Sequence, residues 1–148
     1  MSFLVDSNIF LEGILLQERA EEARTFLSVC DSDLLHLSDF SLHSIGYILV
    51  YRQNHDAFRE FVDDVIGRLG VRVLNLNPDD LIDVIAAAQQ YTLDFDDAYQ
   101  YTVAEKYDLT IVSYDRDFDR TLRGCVTPAM VLHRMRKQND ETQDNDVK

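Results

Sequence analysis

Short apolar runs alternate along this chain with longer segments in which apolar residues recur every three or four positions. A short run predicts a buried strand, and the helical spacing predicts an amphipathic helix. Because alternation of the two is typical of a parallel sheet with helices on its faces, the predicted fold class is α/β. The predicted strands lie at 3–5, 34–37, 71–76 and 109–112, and the predicted helices at 9–16, 18–29, 39–51, 55–69, 80–90, 96–107, from 116 onward and at 128–137.

Polar residues stand where several of these helices begin. Ser7 or Asn8 is expected to cap the first helix, Ser38 or Asp39 the third, and Asp94 a later one. Each has a short side chain whose oxygen can accept a hydrogen bond from a free N–H of the first turn. These residues therefore support the predicted helix starts.

The length of 148 residues suits one domain with its own core. Residues 1–137 hold every predicted element, whereas 138–148 (QNDETQDNDVK) is polar and is expected to be a disordered tail.

No apolar run approaches the ~18 residues of a membrane span, and the N-terminus lacks the regions of a signal peptide. Cys30 and Cys125 fit neither a disulfide framework nor a metal pattern, so two buried, reduced thiols and a cytoplasmic location are expected.

Charge is the unusual feature of the composition, because 27 Asp and Glu against 14 Lys and Arg give a formal −13. Such a surface repels phosphates, which argues against a nonspecific nucleic-acid binder. The charge is uneven, however: residues 53–97 carry ten acids and three bases, and residues 98–137 carry five acids and seven bases. The second segment is therefore where a nucleic acid would make contact, and the first is a surface for a cationic partner.

Four acidic residues are predicted at the carboxyl edge of the sheet, where reactive groups gather in open parallel sheets. Asp6 follows the first strand, Asp115 and Asp117 follow the last, and Asp97 lies in the first turn of a helix. Converging carboxylates repel unless a cation offsets them, and an all-oxygen ligand set suits Mg²⁺ or Mn²⁺. Each acid taken alone also fits a structural role, as a helix cap, a dipole partner or a turn residue.

Two segments resemble the motifs of a known family. FLVDSNIFLEGIL (3–15) and LDFDDAYQYTVAEKYDLTIVSYDRDF (93–118) look like the acidic blocks of PIN-domain ribonucleases, including the VapC-type toxins of toxin–antitoxin pairs. The resemblance spans residues 3–118. It implies a three-layer α/β/α sandwich around a mainly parallel sheet of four to five strands. Carried over by motif, the catalytic and metal-binding acids are Asp6, Asp97 and Asp115, the accessory metal ligand is Asp117, and the polar positions that hold the site are Ser7, Asn8 and Ser113.

The chain departs from the family pattern at one acidic position. The family has a glutamate in the helix after the second strand, and in LSDFSLHSIGYIL the residue at that position is Ser44. A serine is a neutral ligand or a partner for a metal-bound water at best. Asp39 is an alternative acid, with helix capping as its structural role, and the neighbouring His43 fits a partly buried, hydrogen-bonded histidine better than a ligand.

The resemblance implies endonucleolytic hydrolysis of RNA by one or two Mg²⁺ or Mn²⁺ ions, with a small antitoxin and a second copy of the chain as protein partners. Arg116, Arg120 and Arg123 recur at helical spacing beside Asp115 and are candidate contacts to the RNA backbone. The alternative for these arginines is a solvated face that pairs with neighbouring aspartates. Arg134, Arg136 and Lys137 form a weaker candidate set.

Two other functions fit the sequence less well. A catalytically weakened PIN-like module that acts through protein or RNA binding follows from the serine at position 44. A phosphoaspartate enzyme or receiver domain would need Asp-x-Asp after the first strand, or a paired acid and a late lysine. The first strand is instead followed by Asp-Ser-Asn, and Lys106 falls in the middle of a predicted helix.

Overall fold

The computed structural model describes residues 1–145 and has a central sheet of four parallel strands. The spatial order is β3-β2-β1-β4. All four strands were predicted from short apolar runs, and Val126 adds a single parallel bridge beside β4, opposite Val112. The strands are β1 (Phe3–Val5), β2 (Leu35–Ser38), β3 (Arg72–Leu74) and β4 (Thr110–Val112).

Seven α-helices surround this sheet in the described part of the chain. A π-helical segment, Val62–Arg68, continues the fourth helix, and short 3₁₀ helices cover Ser32–Leu34, Pro78–Asp80 and Arg116–Arg120. The α-helices are α1 (Ser7–Ile14), α2 (Ala20–Val29), α3 (Asp39–Tyr51), α4 (His55–Phe61), α5 (Leu81–Tyr91), α6 (Phe95–Tyr107) and α7 (Pro128–Asn145).

The two faces of the sheet bury two separate apolar cores. Phe3 and Val5 of β1 face the core shared with α1, α2, α3, α4 and α7, whereas Leu4 faces the core shared with α5 and α6. This split follows from the strand geometry, because successive side chains point to opposite faces. The three-layer α/β/α sandwich is therefore confirmed.

The chain order of the strands creates a crevice between β1 and β4. The chain passes from β1 outward to β2 and β3, and then returns to the other side of β1 as β4. In open parallel sheets, ligands bind at such a reversal, beyond the carboxyl ends of the strands. Asp6 follows β1 and Ser113 follows β4 at this point.

The predicted capping residues are partly corrected. Asp6 is the N-cap of α1, in place of Ser7 or Asn8, because its carboxylate already accepts a hydrogen bond from the Ser7 N–H. Ser38 caps α3 as predicted and accepts from the Ser41 N–H. Asp94 stands at the N-cap of α6, although its side chain makes no capping hydrogen bond there.

The last helix is longer than predicted. α7 continues to Asn145 instead of ending near Lys137, so the expectation of disorder is wrong for residues 138–145. This segment lacks Gly and Pro and contains good helix formers such as Gln138 and Glu141, so the helix continues although 138–143 are exposed. Residues 146–148 of the predicted tail lie outside the described residues.

Neither cysteine forms a disulfide; Cys30 is buried, whereas Cys125 is only half-buried and so departs from the expectation. Among residues 1–145, no helix has the length and apolar character that crossing a membrane requires.

Candidate active site

Asp6 is a buried residue that directly follows the last residue of β1. Its Oδ1 accepts a hydrogen bond from the Ser7 N–H at 2.8 Å, and its Oδ2 accepts one from the Ser113 hydroxyl at 2.7 Å. The Gln100 Nε2 donates to Oδ1 at 3.4 Å. Burial raises the pKa of Asp6, the three hydrogen bonds oppose that rise, and the charge on Asp115 adds to it. The carboxylate is thus fixed in position by donors from three residues, Ser7, Gln100 and Ser113.

Asp97 lies in the first turn of α6, where the helix dipole favours a negative charge. The residue is only 8% exposed. Burial is the largest cause that raises the pKa of Asp97 to about 7, and the charges of Asp115, Asp96, Asp6 and Asp117 follow. The pKa is thus raised first by burial and then by the repulsion of the four neighbouring carboxylates.

Asp115 and Asp117 come together in the turn after β4. The Asp115 carboxylate caps the 3₁₀ helix Arg116–Arg120 and accepts from the Asp117 N–H at 2.9 Å. The Asp115 N–H in turn donates to the Ser113 hydroxyl at 2.9 Å. Capping is therefore a real role of Asp115, and it also fixes the carboxylate at the crevice.

Three of the four predicted acids form a compact group. Carboxylate oxygens of Asp97, Asp115 and Asp117 lie within 4.8 Å of one another. Asp6 is outside this group, but it lines the same cavity of about 140 Å³ as Asp97 and Asp115. An all-oxygen, negatively charged group of this size has the chemistry that Mg²⁺ or Mn²⁺ prefers.

The predicted polar positions form the scaffold behind the acids. Asn8 donates through Nδ2 to the Ser113 hydroxyl at 3.1 Å and accepts from the Tyr114 N–H at 3.4 Å. Ser7 and Asn8 also line the cavity. Ser113 is buried and links Asn8, Asp6 and Asp115.

The α3 side of the cavity is neutral. Ser44, at the position where a glutamate was expected, lines the cavity together with Ser41. Asp39 is not among the lining residues: its carboxylate accepts from the Phe40 N–H and from the Tyr99 hydroxyl, both at 2.8 Å. His43 is exposed, so the expectation of a partly buried histidine is wrong.

Gln100 lines the cavity although the sequence did not predict it there. It is 3% exposed, lines the cavity and lies one helical turn after Asp97 on α6. Its Nε2 donates to the Ser41 hydroxyl at 2.7 Å, whereas its Oε1 has no hydrogen-bond partner. The three-residue spacing from Asp97 was the available signal, since residues i and i+3 share a helix face.

The three predicted RNA-binding arginines have different surroundings. Arg123 donates hydrogen bonds to the Glu105 carboxylate at 2.7 Å and to the Leu109 carbonyl at 2.8 Å. These contacts link it to α6 and to the residue before β4, so its role in the fold is structural. Arg120 pairs with Asp117 and donates to the Thr92 carbonyl. Arg116 has a side chain that is 93% exposed and a long 3.4 Å contact to Asp119. Of the three, Arg116 has the most exposed side chain.

Solved structures share this fold at low sequence identity. FitAB bound to an IR36 DNA fragment matches with a TM-score of 0.74 and 13% identity, over 85% of this chain and 94% of the other. A toxin–antitoxin complex from Klebsiella pneumoniae has a TM-score of 0.66 and 19% identity, with 86% and 98% covered. VapC20 of Mycobacterium tuberculosis, a sarcin–ricin loop cleaving toxin, has a TM-score of 0.69 and 19% identity, with 84% and 97% covered.

Family membership rests on the sequence match. No curated protein matches this chain significantly. The family model of the PIN domain matches residues 3–123, which include β1 to β4 and all four acids of the crevice. The chain therefore belongs to the PIN domain family.

Proposed function

We propose that this protein is an Mg²⁺- or Mn²⁺-dependent endoribonuclease and the toxin of a toxin–antitoxin pair. The observation that carries the proposal is the group of Asp97, Asp115 and Asp117, whose carboxylate oxygens lie within 4.8 Å of one another. The pKa of Asp97, which burial and then the neighbouring carboxylates raise to about 7, supports it, because a bound cation would stabilise the ionised form that both effects disfavour.

Asp97, Asp115 and Asp117 would hold the cation, and Asp6 would face it across the shared cavity. When bound, a divalent cation would offset charge on a phosphodiester and make an attacking water more acidic. Asp6 contributes a carboxylate held by Ser7, Ser113 and Gln100, so its oxygens do not need to reorganise when a substrate arrives.

Arg116 is the proposed contact to the RNA backbone. It lies next to Asp115 and within the net-positive segment 98–137, and its guanidinium is open to solvent. A phosphate could replace the weak contact to Asp119, because Arg binds phosphate oxygens through two parallel hydrogen bonds. Arg120, which pairs with Asp117, and Arg123 are less available for the same role.

The proposal of a toxin role is supported by the fold relatives, which include a toxin–antitoxin complex. A cationic segment of an antitoxin would complement the acidic segment 53–97, which contains ten acidic and three basic residues. A homodimer belongs to the same proposal, and Leu16, in the turn after α1, is an exposed apolar residue at the end of the 11–16 segment that could contribute to the contact.

A weakened PIN module that acts only by binding is the second candidate. It is favoured by Ser44, which leaves the α3 wall of the cavity neutral. Titration of the protein with Mn²⁺ separates the two, since a nuclease must bind the metal at millimolar concentrations or below and a binding module need not.

Cleavage of a labelled, random-sequence RNA pool with Mg²⁺ or Mn²⁺ tests the nuclease. Asp6→Asn and Asp97→Asn should each reduce the rate by roughly 10²–10³-fold, the usual cost of losing one charge-stabilising group. Asp63→Asn, which removes an exposed acid from the π-helical segment, is the matched control and should cleave like the wild type. Cleavage that survives EDTA or both site substitutions would contradict the proposal.

A further inference from the structure

Arg120 forms an ion pair with one member of the acid group, the set of Asp97, Asp115 and Asp117. Its Nη2 donates to Oδ1 of Asp117, whose carboxylate contributes an oxygen within 4.8 Å of those of the other two acids. By charge alone, an arginine at this place is unfavourable for a cation, because the two positive charges repel each other. Its contacts therefore have to explain its presence.

A second hydrogen bond anchors the same guanidinium. Its Nη1 donates to the Thr92 carbonyl at 2.5 Å. Thr92 is the C-cap of α5, and the last carbonyls of a helix have no partner within the helix. Because the guanidinium is planar and its donors are fixed relative to one another, two acceptors on different segments determine its position. The Asp117 carboxylate is thus held by an arginine that is itself held.

The two anchors belong to the two segments that carry the acid group. Asp117 lies in the 3₁₀ helix that ends at Arg120. Thr92 begins the short turn between α5 and α6, and the first turn of α6 contains Asp97. Thr92 and Arg120 are 28 positions apart in the chain. Arg120 therefore joins the segment of Asp117 to the segment that leads to Asp97.

The exposure of the ion pair argues against a role in stability. The side chains of Arg120 and Asp117 are 47% and 44% exposed, and ion pairs at this exposure contribute little to the free energy of unfolding. Carboxylates that bind metals are themselves commonly hydrogen-bonded, and these outer partners orient them and strengthen metal binding. The contacts of Arg120 match that second role.

We propose that Arg120 is a positioning residue of the cation site, which holds the Asp117 carboxylate in place beside Asp97 and Asp115. This inference rests on the proposed function. The gain from a correctly placed carboxylate exceeds the loss from the repulsion between the guanidinium and the cation. Removal of Arg120 therefore weakens cation binding, although it removes a positive charge.

The direction of the change in metal affinity tests this role. Calorimetric titration of the full-length protein with MnCl₂, without RNA, measures the affinity. Arg120→Met removes the charge and every donor, and it should weaken Mn²⁺ binding roughly 10- to 100-fold, as for other partners of metal ligands. If the arginine acted only through its charge, the same substitution would strengthen binding. Equal or stronger binding therefore overturns the proposal.

Arg116→Met is the matched control for charge. Arg116 is 93% exposed, lies next to Asp115 and contacts Asp119, which does not belong to the acid group. Because this arginine bonds to no member of the group, its replacement should not weaken Mn²⁺ binding. A loss as large as that of Arg120→Met would overturn the proposal, since the effect would then not depend on the bond to Asp117.

Arg120→Lys keeps the charge but not the two-ended contact, because a single ammonium does not reproduce the fork of the guanidinium. It should bind Mn²⁺ several-fold more weakly than the wild type, and an affinity equal to that of the wild type would overturn the proposal. Thermal unfolding in EDTA should stay within about 2 °C of the wild type for both Arg120 variants, because the ion pair is exposed.

A double-mutant cycle shows whether Arg120 acts through Asp117. In an Asp117→Asn background, Arg120→Met should change the Mn²⁺ affinity less than twofold, since the carboxylate that it positions is already absent. The same loss in both backgrounds would overturn the proposal. A wild type that binds neither Mn²⁺ nor Mg²⁺ would instead overturn the proposed function. Binding that Asp97→Asn weakens and Arg120→Met does not would overturn only the role of Arg120.

Discussion

The Ser113 hydroxyl donates to Asp6 Oδ2 at 2.7 Å and joins two residues that are 107 positions apart in the chain. The bond connects the carboxyl ends of β1 and β4, the two strands that meet where the strand order reverses. The same hydroxyl accepts hydrogen bonds from the Asn8 side chain and from the Asp115 N–H, so one buried oxygen is hydrogen-bonded to residues on both sides of the crevice.

Ser113→Ala should lower the free energy of unfolding by about 1–3 kcal/mol, because it removes a donor from a buried carboxylate and leaves two other groups without their acceptor. Urea unfolding monitored by circular dichroism measures the change. Ser28→Ala is the matched control, since Ser28 is exposed and bonds only to the Thr25 carbonyl of its own helix. Equal stability of the two variants would contradict the linking role of Ser113.

The stability of the metal-free protein should decrease as the pH rises from about 4 to about 7. Asp97 has a pKa of about 7 in the folded protein, above the value for an unfolded aspartate, so the folded state binds more protons in this range. The stabilisation is complete at acidic pH and is lost as the pH approaches 7. Urea unfolding in EDTA at pH 5 and pH 8 measures the difference.

Asp97→Asn is the control for that pH dependence, because an amide cannot ionise. Its stability should change less between pH 5 and pH 8 than that of the wild type, and at pH 8 it should exceed the wild-type value in EDTA. If the two proteins follow the same pH curve, the repulsion at Asp97 is not the cause.

Divalent cation binding should release protons near neutral pH. The cation requires an ionised Asp97, so its apparent affinity should fall by up to tenfold per pH unit below about 7. Titration with Mn²⁺ in buffers of different ionisation enthalpy measures the number of protons released. A Kd that is constant from pH 5.5 to pH 7.5 would argue against Asp97 as a ligand.

Replacement of Arg116 and replacement of Arg123 should affect different properties, RNA binding in the first case and stability in the second. Arg116→Ala should weaken binding of a labelled RNA several-fold and reduce the salt dependence of binding, with unchanged unfolding. Arg123→Ala should instead cost roughly 1–2 kcal/mol of stability, because Arg123 bonds to Glu105 and to the Leu109 carbonyl. Fluorescence anisotropy in the Asp97→Asn background with EDTA, where cleavage of the RNA should be much slower than in the wild type, measures the RNA binding of both variants.

Removal of residues 138–148 should leave the fold intact. Residues 138–143 are exposed, and within 128–143 the core contacts of α7 come from Val131, Leu132 and Met135. The melting temperature of the 1–137 protein should stay within about 2 °C of the full chain, since surface changes seldom exceed ±0.5 kcal/mol. A larger fall would place the domain boundary beyond residue 137.

The elements of this fold and the acids of its crevice follow from local patterns. The apolar run FLV, followed by a polar residue and a helical pattern, predicts a short buried strand, and Asp6 directly after it then lies at the carboxyl end of that strand. The same reasoning places Asp115 after β4 and Asp97 in a first helical turn. These predictions succeed because each depends on a residue and its nearest neighbours.

The partners of the polar side chains were decided by the tertiary structure. Asp39 turns toward Tyr99, 60 positions away, and Gln100 reaches Ser41, 59 positions away. Nothing in the local sequence distinguishes Asp39 from the acids that line the cavity, or marks Gln100 as more than a polar residue of α6. Hydrogen bonds join groups that packing brings within about 3 Å. The sequence by itself therefore determined which residues lie at the crevice edge, whereas only the packing of α3 and α6 over the sheet decided which oxygens meet there.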